Sequence, residues 1–359
     1  MRHRRLLTMA ITLAAGVFVS APAVATSADQ ARVSFRQTNL VTDNQQLATA
    51  TFTDTSLKNP WGISSSPTSP MWVSDNNAGV TTLYTGNGTK VPLTVTIPPG
   101  QGSTQGSPTG TVFNGNSAEF AGDRFLFATE DGTIAGWQGG PTAVTRVDNS
   151  KSTPSSVYKG LAIGFDGLAD HLYASNFRFG RVDVFNSDYT PAGSFTDSKV
   201  PAGYAPFNVQ NLGGVLYVTF AKQNADKHDD VAGRGHGFVD AFDLNGRLLD
   251  RLVSRGRLNS PWGLAIAPAS FGALAGTLLV GNFGDGHINA YTLDEGEFKG
   301  ELRSTDGAPI AIDGLWALRV GNGGGTPTSG DKNAVYFTAG INHENDGLFG
   351  TITNAGGGD

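Results

Sequence analysis

The chain of 359 residues carries 49 Gly, 17 Pro, 21 Phe and no Cys, with a formal net charge of −6. Without cysteine there is no disulfide scaffold, thiolate metal site or cysteine nucleophile, and the acidic balance argues against nucleic acid, which proteins hold by neutralising phosphates. Gly far above its usual share of about 7%, with no triplet period and beside so many Phe, excludes collagen and disorder and points to a turn-rich folded chain.

The first element in chain order reads as an export leader. Met1 to Arg5 is basic, Leu6 to Ser20 is apolar and uncharged, and Ala23-Val24-Ala25 has the small-x-small pattern that a signal peptidase cleaves. The apolar stretch is short for a spanning helix, which needs about 20 residues. Residues 1–25 are therefore expected to be a signal peptide, with no stable membrane anchor left after cleavage and an extracellular, envelope or periplasmic location. Removing Arg2, Arg4 and Arg5 lowers Lys+Arg from 25 to 22 against 31 Asp+Glu, a net charge of −9.

Next comes an isolated strand, Phe35 to Thr42, and then six copies of one pattern about 50 residues apart. Each copy opens on a landmark (NPWGIS, SPTGTV, VYKGLA, APFNVQ, SPWGLA, GLWALR) that aligns Trp61, Thr109, Lys159, Phe207, Trp262 and Trp316. An apolar run follows (MWVSD, FLFATE, LYASN, LYVTF, LLVGN, VYFTA), and then a Gly at 79, 132, 180, 237, 286 or 347. Five residues after that Gly stands Tyr84, Trp137, Phe185, Phe242, Tyr291 or Ile352. Within each copy the apolar period is two, which is strand chemistry. Four short strands in a repeat of this length describe a propeller blade. The Gly is expected where the second strand turns into the third, and the residue five further on is expected to pack between blades. The three repeat-position tryptophans are likewise expected in inter-blade packing.

The sixth copy ends after its third strand at Thr353-Asn354, so the Phe35–Thr42 strand is expected to complete it and close the ring. The fold class is thus all-β: a six-bladed β-propeller of four-stranded blades. It forms one domain over 26–354, with a short Gly-rich tail at 355–359.

This pattern resembles the NHL-type six-bladed propellers, in which a P-x-G-[IVL] strand precedes an apolar strand and an Asn/Asp turn. It is more similar still to a family of exported bacterial propellers known as conserved but uncharacterised. NPWGIS (59–64), AKQNADKHDDVAG (221–233), SPWGLAIAPASFGALAG (260–276), LLVGNFGDGHINAY (278–291) and TAGINHENDGLFG (338–350) carry the likeness, which runs from about Thr38 to Ile352. It implies the fold and export, and assigns no activity.

Three sets of residues are candidates for chemistry. Asp75, Glu130, Asn176 and Asn282 end the second strand in four copies, and oxygen ligands of this kind suit Ca2+ or another divalent cation, although short polar side chains also cap turns there. Asn59, Asn208, Asn259 and Asp313 stand at or just before first strands, where a channel would be lined, and could bind metal or substrate or simply hold water. Gluconolactonase-like propellers hold a channel cation with a Glu, two Asn and an Asp; of these only Asp313 matches plausibly, and no clear Glu stands at a first-strand position. The third set lies in two long intervals between landmark and turn, in copies four and six. Lys222, Asp226, His228, Asp229, Asp230 and His236 fill the fourth copy's insertion, with His343 and Glu344 before the sixth copy's turn. Excess loop length signals binding. A mixed nitrogen and oxygen metal site or an acid/base pair would suit these residues, as would a solvated loop.

No HExxH, G-x-S-x-G, P-loop or strand-following GxGxxG occurs. Ser156 to Lys159 fits S-x-x-K, but there the lysine is a repeat position. The expected function is an exported binding or interaction module, expected to be a monomer, that contacts a protein or small-molecule ligand through loops at one mouth. A lactonase-type metal-dependent hydrolase is the alternative.

Overall fold

The computed structural model describes residues 33–324, 328 and 330–356. The expected signal peptide, residues 1–25, and the end of the tail, 357–359, lie outside these residues. Six sheets are arranged as a propeller, each antiparallel and four-stranded except the last, which gains a two-residue strand, Phe52–Thr53. Their innermost strands are Pro60–Ser64, Pro108–Phe113, Tyr158–Phe165, Tyr204–Leu212, Pro261–Ile266 and Leu315–Val320. Each is the first strand of its copy, so all six begin at the same mouth of the channel. The second strand of each blade ends at that mouth too, as the pairings Pro60 with Asp75, Tyr158 with Asn176 and Leu315 with Ala339 show.

Ring closure follows the expectation. Phe35–Thr42 pairs antiparallel with Leu348–Asn354, from Phe35 opposite Asn354 to Thr42 opposite Leu348, with one irregularity between Asn39 and Val41. The sixth blade thereby takes its outer strand from the start of the domain and its inner three from the end. This leaves no unpaired edge between first and last blades.

Glycine serves two purposes. Gly79 sits at φ +66 in the turn between second and third strands, a left-handed conformation that side chains disfavour. Gly110, in a first strand, has ordinary φ, but a Cβ there would lie 2.2 Å from the backbone nitrogen of Leu161 in the next blade. Innermost strands crowd the axis, so part of the Gly excess reflects close approach rather than turns.

Aromatic residues fill the gaps between blades. Tyr84 of blade one stacks on Phe349 of blade six at 5.3 Å between ring centroids, and Phe242 of blade four meets Phe195 of blade three at 4.9 Å. The repeat-position tryptophans pack differently from their outer counterparts. Trp61 and Trp316 stack at 3.5 Å, Trp262 meets them edge-on at 6.1 and 5.7 Å, and Phe207 lies 5.8 Å from Trp316. They converge on the axis and plug the channel. No helix among the described residues is long and apolar enough to cross a membrane.

Candidate functional site

The mouth at which the first strands begin gathers charge on top of the plug. Lys159 takes the plug position in blade three, where other blades place Trp, Phe or Thr. Its carbonyl accepts from Trp262 Nε1 at 3.0 Å, and its ammonium lies 5.1 Å from the centre of the Trp61 ring. The side chain is only 3% exposed. Its ammonium donates to Glu130 and lies 3.4 Å from Asp229 Oδ1. Burial works against the charged form, but Glu130, Asp229 and Asp230 outweigh it and raise the pKa. These contacts favour the ammonium form of Lys159.

Four carboxylates face it from three blades. Glu130 follows the second strand of blade two and accepts from Asn76 Nδ2 at 2.8 Å. Asp229 and Asp230 come from the fourth-blade insertion, whose backbone is pinned by Asn224 N to Asp229 O at 2.8 Å and Val231 N to Lys222 O at 2.8 Å. The Asn224 carboxamide oxygen also accepts from His228 N at 3.0 Å, so the loop is a bonded hairpin. His228 Nδ1 lies 2.7 Å from Asp229 Oδ1. That hydrogen bond, with Lys159 behind it, holds the Asp229 carboxyl down at about 2. Asp230 is raised by burial.

Glu344 arrives from blade six on an unusual turn. Asn342, His343 and Glu344 have φ of 55, 54 and 67, three consecutive left-handed residues without a glycine among them. Such conformations cost roughly 1–2 kcal/mol each. The turn is held by Asn342 N donating to Asp313 Oδ2 at 3.1 Å and Asn342 Nδ2 donating to Asp346 Oδ2 at 2.7 Å. It lays Glu344 Oε2 2.9 Å from Asn59 Nδ2, while Asn59 Oδ1 accepts from Trp316 Nε1 at 2.9 Å. Burial first, then the nearby Glu130 and Asp230, push the Glu344 carboxyl up to about 6 against the relief from Asn59 and Lys159. The loops of blades four and six thus lean over one site although their blades are not neighbours.

The other residues singled out from sequence are placed as follows. Asp75 is fully buried and accepts from Thr82 Oγ1 at 2.7 Å; burial raises its pKa well above normal. Asn176 donates to Asp183 Oδ2 at 2.7 Å and to Ser156 Oγ at 3.1 Å, within its own blade. Asn282 and Asn259 both donate to Asp285, at 3.0 and 3.1 Å, and Asn259 Oδ1 accepts from Gly233 N at 2.6 Å. Asn208 donates to Trp262 O at 2.8 Å. Asp313 is exposed, as are Asp226 and His343, and Lys222 is half-buried. His236 Nδ1 lies 2.8 Å from Val231 O. Among the described residues, only Glu130, His228 and Asp229 bring three donor atoms within 4.8 Å of one another, close enough to hold a metal ion.

Sequence reasoning set Lys159 aside as a repeat residue. Its signal was the ionisable side chain at a position otherwise aromatic or small. Nothing local marked the left-handed turn at 342–344, because Asn-His-Glu is an ordinary loop composition.

Fold and site together define a six-bladed β-propeller whose channel is plugged by aromatic side chains and ringed with charge at one mouth. The chain is 33% identical over 322 residues to one uncharacterized protein of Acanthamoeba polyphaga mimivirus, an alignment covering 84% of this chain and 76% of that protein. A second uncharacterized mimivirus protein is 32% identical over 318 residues, covering 83% and 81% of the two chains. The chain belongs to the family of these proteins. These relatives are viral, whereas the sequence resemblance pointed to bacterial ones. No protein-family model matches the chain. Among solved structures it is similar to a glucose dehydrogenase, with TM-score 0.53, 13% identity and coverage of 82% of this chain and 96% of that one. It is also similar to virginiamycin B lyase from Staphylococcus aureus, with TM-score 0.52, 14% identity and coverage of 89% and 98%. Likeness at this identity concerns the fold alone.

Proposed function

We propose that the protein is a binding module whose ligand is taken at the charged mouth and presents a cationic group to it. The observation that carries this reading is the excess of Glu130, Asp229, Asp230 and Glu344 over the single ammonium of Lys159. Two of these carboxyls titrate high because they are buried and crowded, so an arriving positive charge would favour their ionised forms. The bonded hairpin and the left-handed turn preorganise the loops, which reduces the ordering cost of binding. Export belongs to the same reading, supported by the leader-like residues 1–25; amino-terminal sequencing of secreted protein, with Thr26 first, tests it.

A metal-dependent hydrolase of lactonase type is the second reading, favoured by the meeting of Glu130, His228 and Asp229. It ranks second because the Lys159 ammonium already contacts Glu130 and Asp229, where a metal would compete with it. Thermal unfolding of chelator-treated protein with ZnCl2, MnCl2, CaCl2 or spermidine separates the two. A melting temperature raised by any of these cations, and not in Asp229→Asn, supports binding at the mouth. Metal-dependent turnover of lactones or esters favours the hydrolase. No shift at millimolar concentrations and no turnover would overturn both.

A further inference from the structure

Beneath the plug, toward the opposite mouth, the channel widens into a cavity of about 240 Å³ lined by the later residues of the first strands. That volume exceeds several waters, each of about 30 Å³. Its lining contains one charged side chain, Arg319, and no carboxylate. Arg319 Nη2 donates to Ser65 O at 3.3 Å and Oγ at 3.1 Å. Its Nε is buried without a hydrogen-bond partner, and no carboxylate forms an ion pair with it among the described residues. Across the same lining, Thr111 Oγ1 is a second buried polar atom without a partner.

A buried polar group without a partner forfeits its bonds to water; twelve such side-chain atoms occur among the described residues, and two of them belong to residues of this lining. An unpaired guanidinium is rarer, and here it occurs in an acidic protein with carboxylates to spare elsewhere. The Arg319 and Thr111 side chains line one cavity, and together they offer a small anion a planar charged donor group and a hydroxyl to orient it. Ile163, Val209, Leu212 and Leu318 provide apolar wall beside them.

We infer that this cavity is a binding site for a small organic carboxylate, its carboxyl group held by Arg319 and its apolar part lying along the first-strand side chains. The site is separate from the charged mouth, because the stacked tryptophans stand between them. It therefore does not depend on the function proposed for the mouth.

Calorimetric titration with sodium butyrate, butyramide and inorganic phosphate tests the assignment. Butyrate is expected to bind at least about 10-fold more tightly than butyramide, the loss of one charge-assisted bond being worth about that factor or more. It is also expected to exceed phosphate, which has no apolar body. Arg319→Gln should weaken butyrate by about 10- to 100-fold, and Thr111→Val by less, while Asp229→Asn at the mouth leaves it unchanged. Should the glutamine variant fail to fold, Arg319→Lys serves, since it keeps the charge but loses the fork and should still bind butyrate more weakly. Absence of butyrate binding, equal affinity for butyramide, tighter binding of phosphate, or affinity untouched by the Arg319 and Thr111 substitutions would overturn the inference.

Discussion

Lys159 and Arg319 are two cations in one channel, on either side of the same aromatic plug, and their surroundings differ in kind. Lys159 is almost wholly enclosed, yet Glu130 and Asp229 contact its ammonium and its pKa rises. Arg319 lines a cavity without acidic groups, and burial alone pushes its guanidinium down to about 10. Burial therefore does not decide whether a charge stabilises a fold. What decides is whether opposite charge has been brought in with it. At the first mouth the loops of blades two, four and six deliver that charge, whereas at the second chamber nothing among the described residues does.

The plug keeps these two environments apart, so its removal should have the largest effect. Trp316 is 1% exposed and touches Trp61, Trp262, Phe207 and Phe283. Trp316→Ala is expected to cost about 3–5 kcal/mol, as buried aromatic truncations do. It also strips Asn59 of a donor and so loosens Glu344. Denaturant unfolding measures the loss; a cost under about 1 kcal/mol would mean that the plug collapses without penalty.

Replacing each cation in turn by methionine should move stability in opposite directions. Lys159→Met leaves Glu130 facing the plug without its ammonium and is expected to cost about 1–3 kcal/mol, less than for a fully enclosed pair because Asp229 is 62% exposed. Arg319→Met removes an unpaired charge and keeps the apolar stem, so it should be neutral or stabilising in the absence of ligand. Melting temperatures of the two variants in one buffer decide the matter. Equal losses would break the contrast between the chambers.

That contrast was only half legible in the sequence. The ring could be read because the blades repeat the same demands: period-two strands, a Gly near the second turn (with positive φ at 79, 132, 180 and 286 but not at 237 or 347), and an aromatic five residues on in every copy but the sixth, which has Ile352. Closure by Phe35–Thr42 followed from a missing fourth strand. The charged mouth was partly legible, since insertions in copies four and six stood out and His228, Asp229, Asp230 and Glu344 do gather there. Lys159 was hidden by its regularity, because a repeat position reads as scaffold until its side chain is seen to point along the axis. Asn59, by contrast, reads as a possible ligand, but it bridges Trp316 to Glu344. Arg319 had no signal at all: the lack of a partner is a property of six strands together, and no single segment carries it.

Acid titration should sharpen the difference more gently. The Glu344 carboxyl stands at about 6 in the fold against a usual 4.5, so the folded state holds its proton more tightly. Its contribution favours folding below about pH 4.5 and is lost as the pH rises through about 6. Glu344→Gln removes that loss, and should gain on the order of 1–2 kcal/mol relative to wild type between pH 4.5 and pH 7.5. Asp229, held at about 2, behaves oppositely: its contribution is present above the usual 3.8 and fades only as the pH falls toward 2. Stability curves of wild type and Glu344→Gln against pH separate the two carboxyls, and parallel curves across this window would place Glu344 in a solvated setting.

The smallest expected effect belongs to Thr111. Its hydroxyl is buried without a partner, so Thr111→Val exchanges an unsatisfied polar group for a methyl of nearly the same shape. Valine suits a strand as well as threonine does, and the desolvation penalty of the hydroxyl disappears. The change should fall within about 0.5 kcal/mol of neutral and lean toward stabilisation. A cost above about 1 kcal/mol would show that the hydroxyl is bonded through ordered water, and the second chamber would then be a hydrated channel with its polar groups satisfied. A neutral result, beside a weakened affinity for butyrate, would mean that the hydroxyl contributes nothing to the fold and is held there for the ligand.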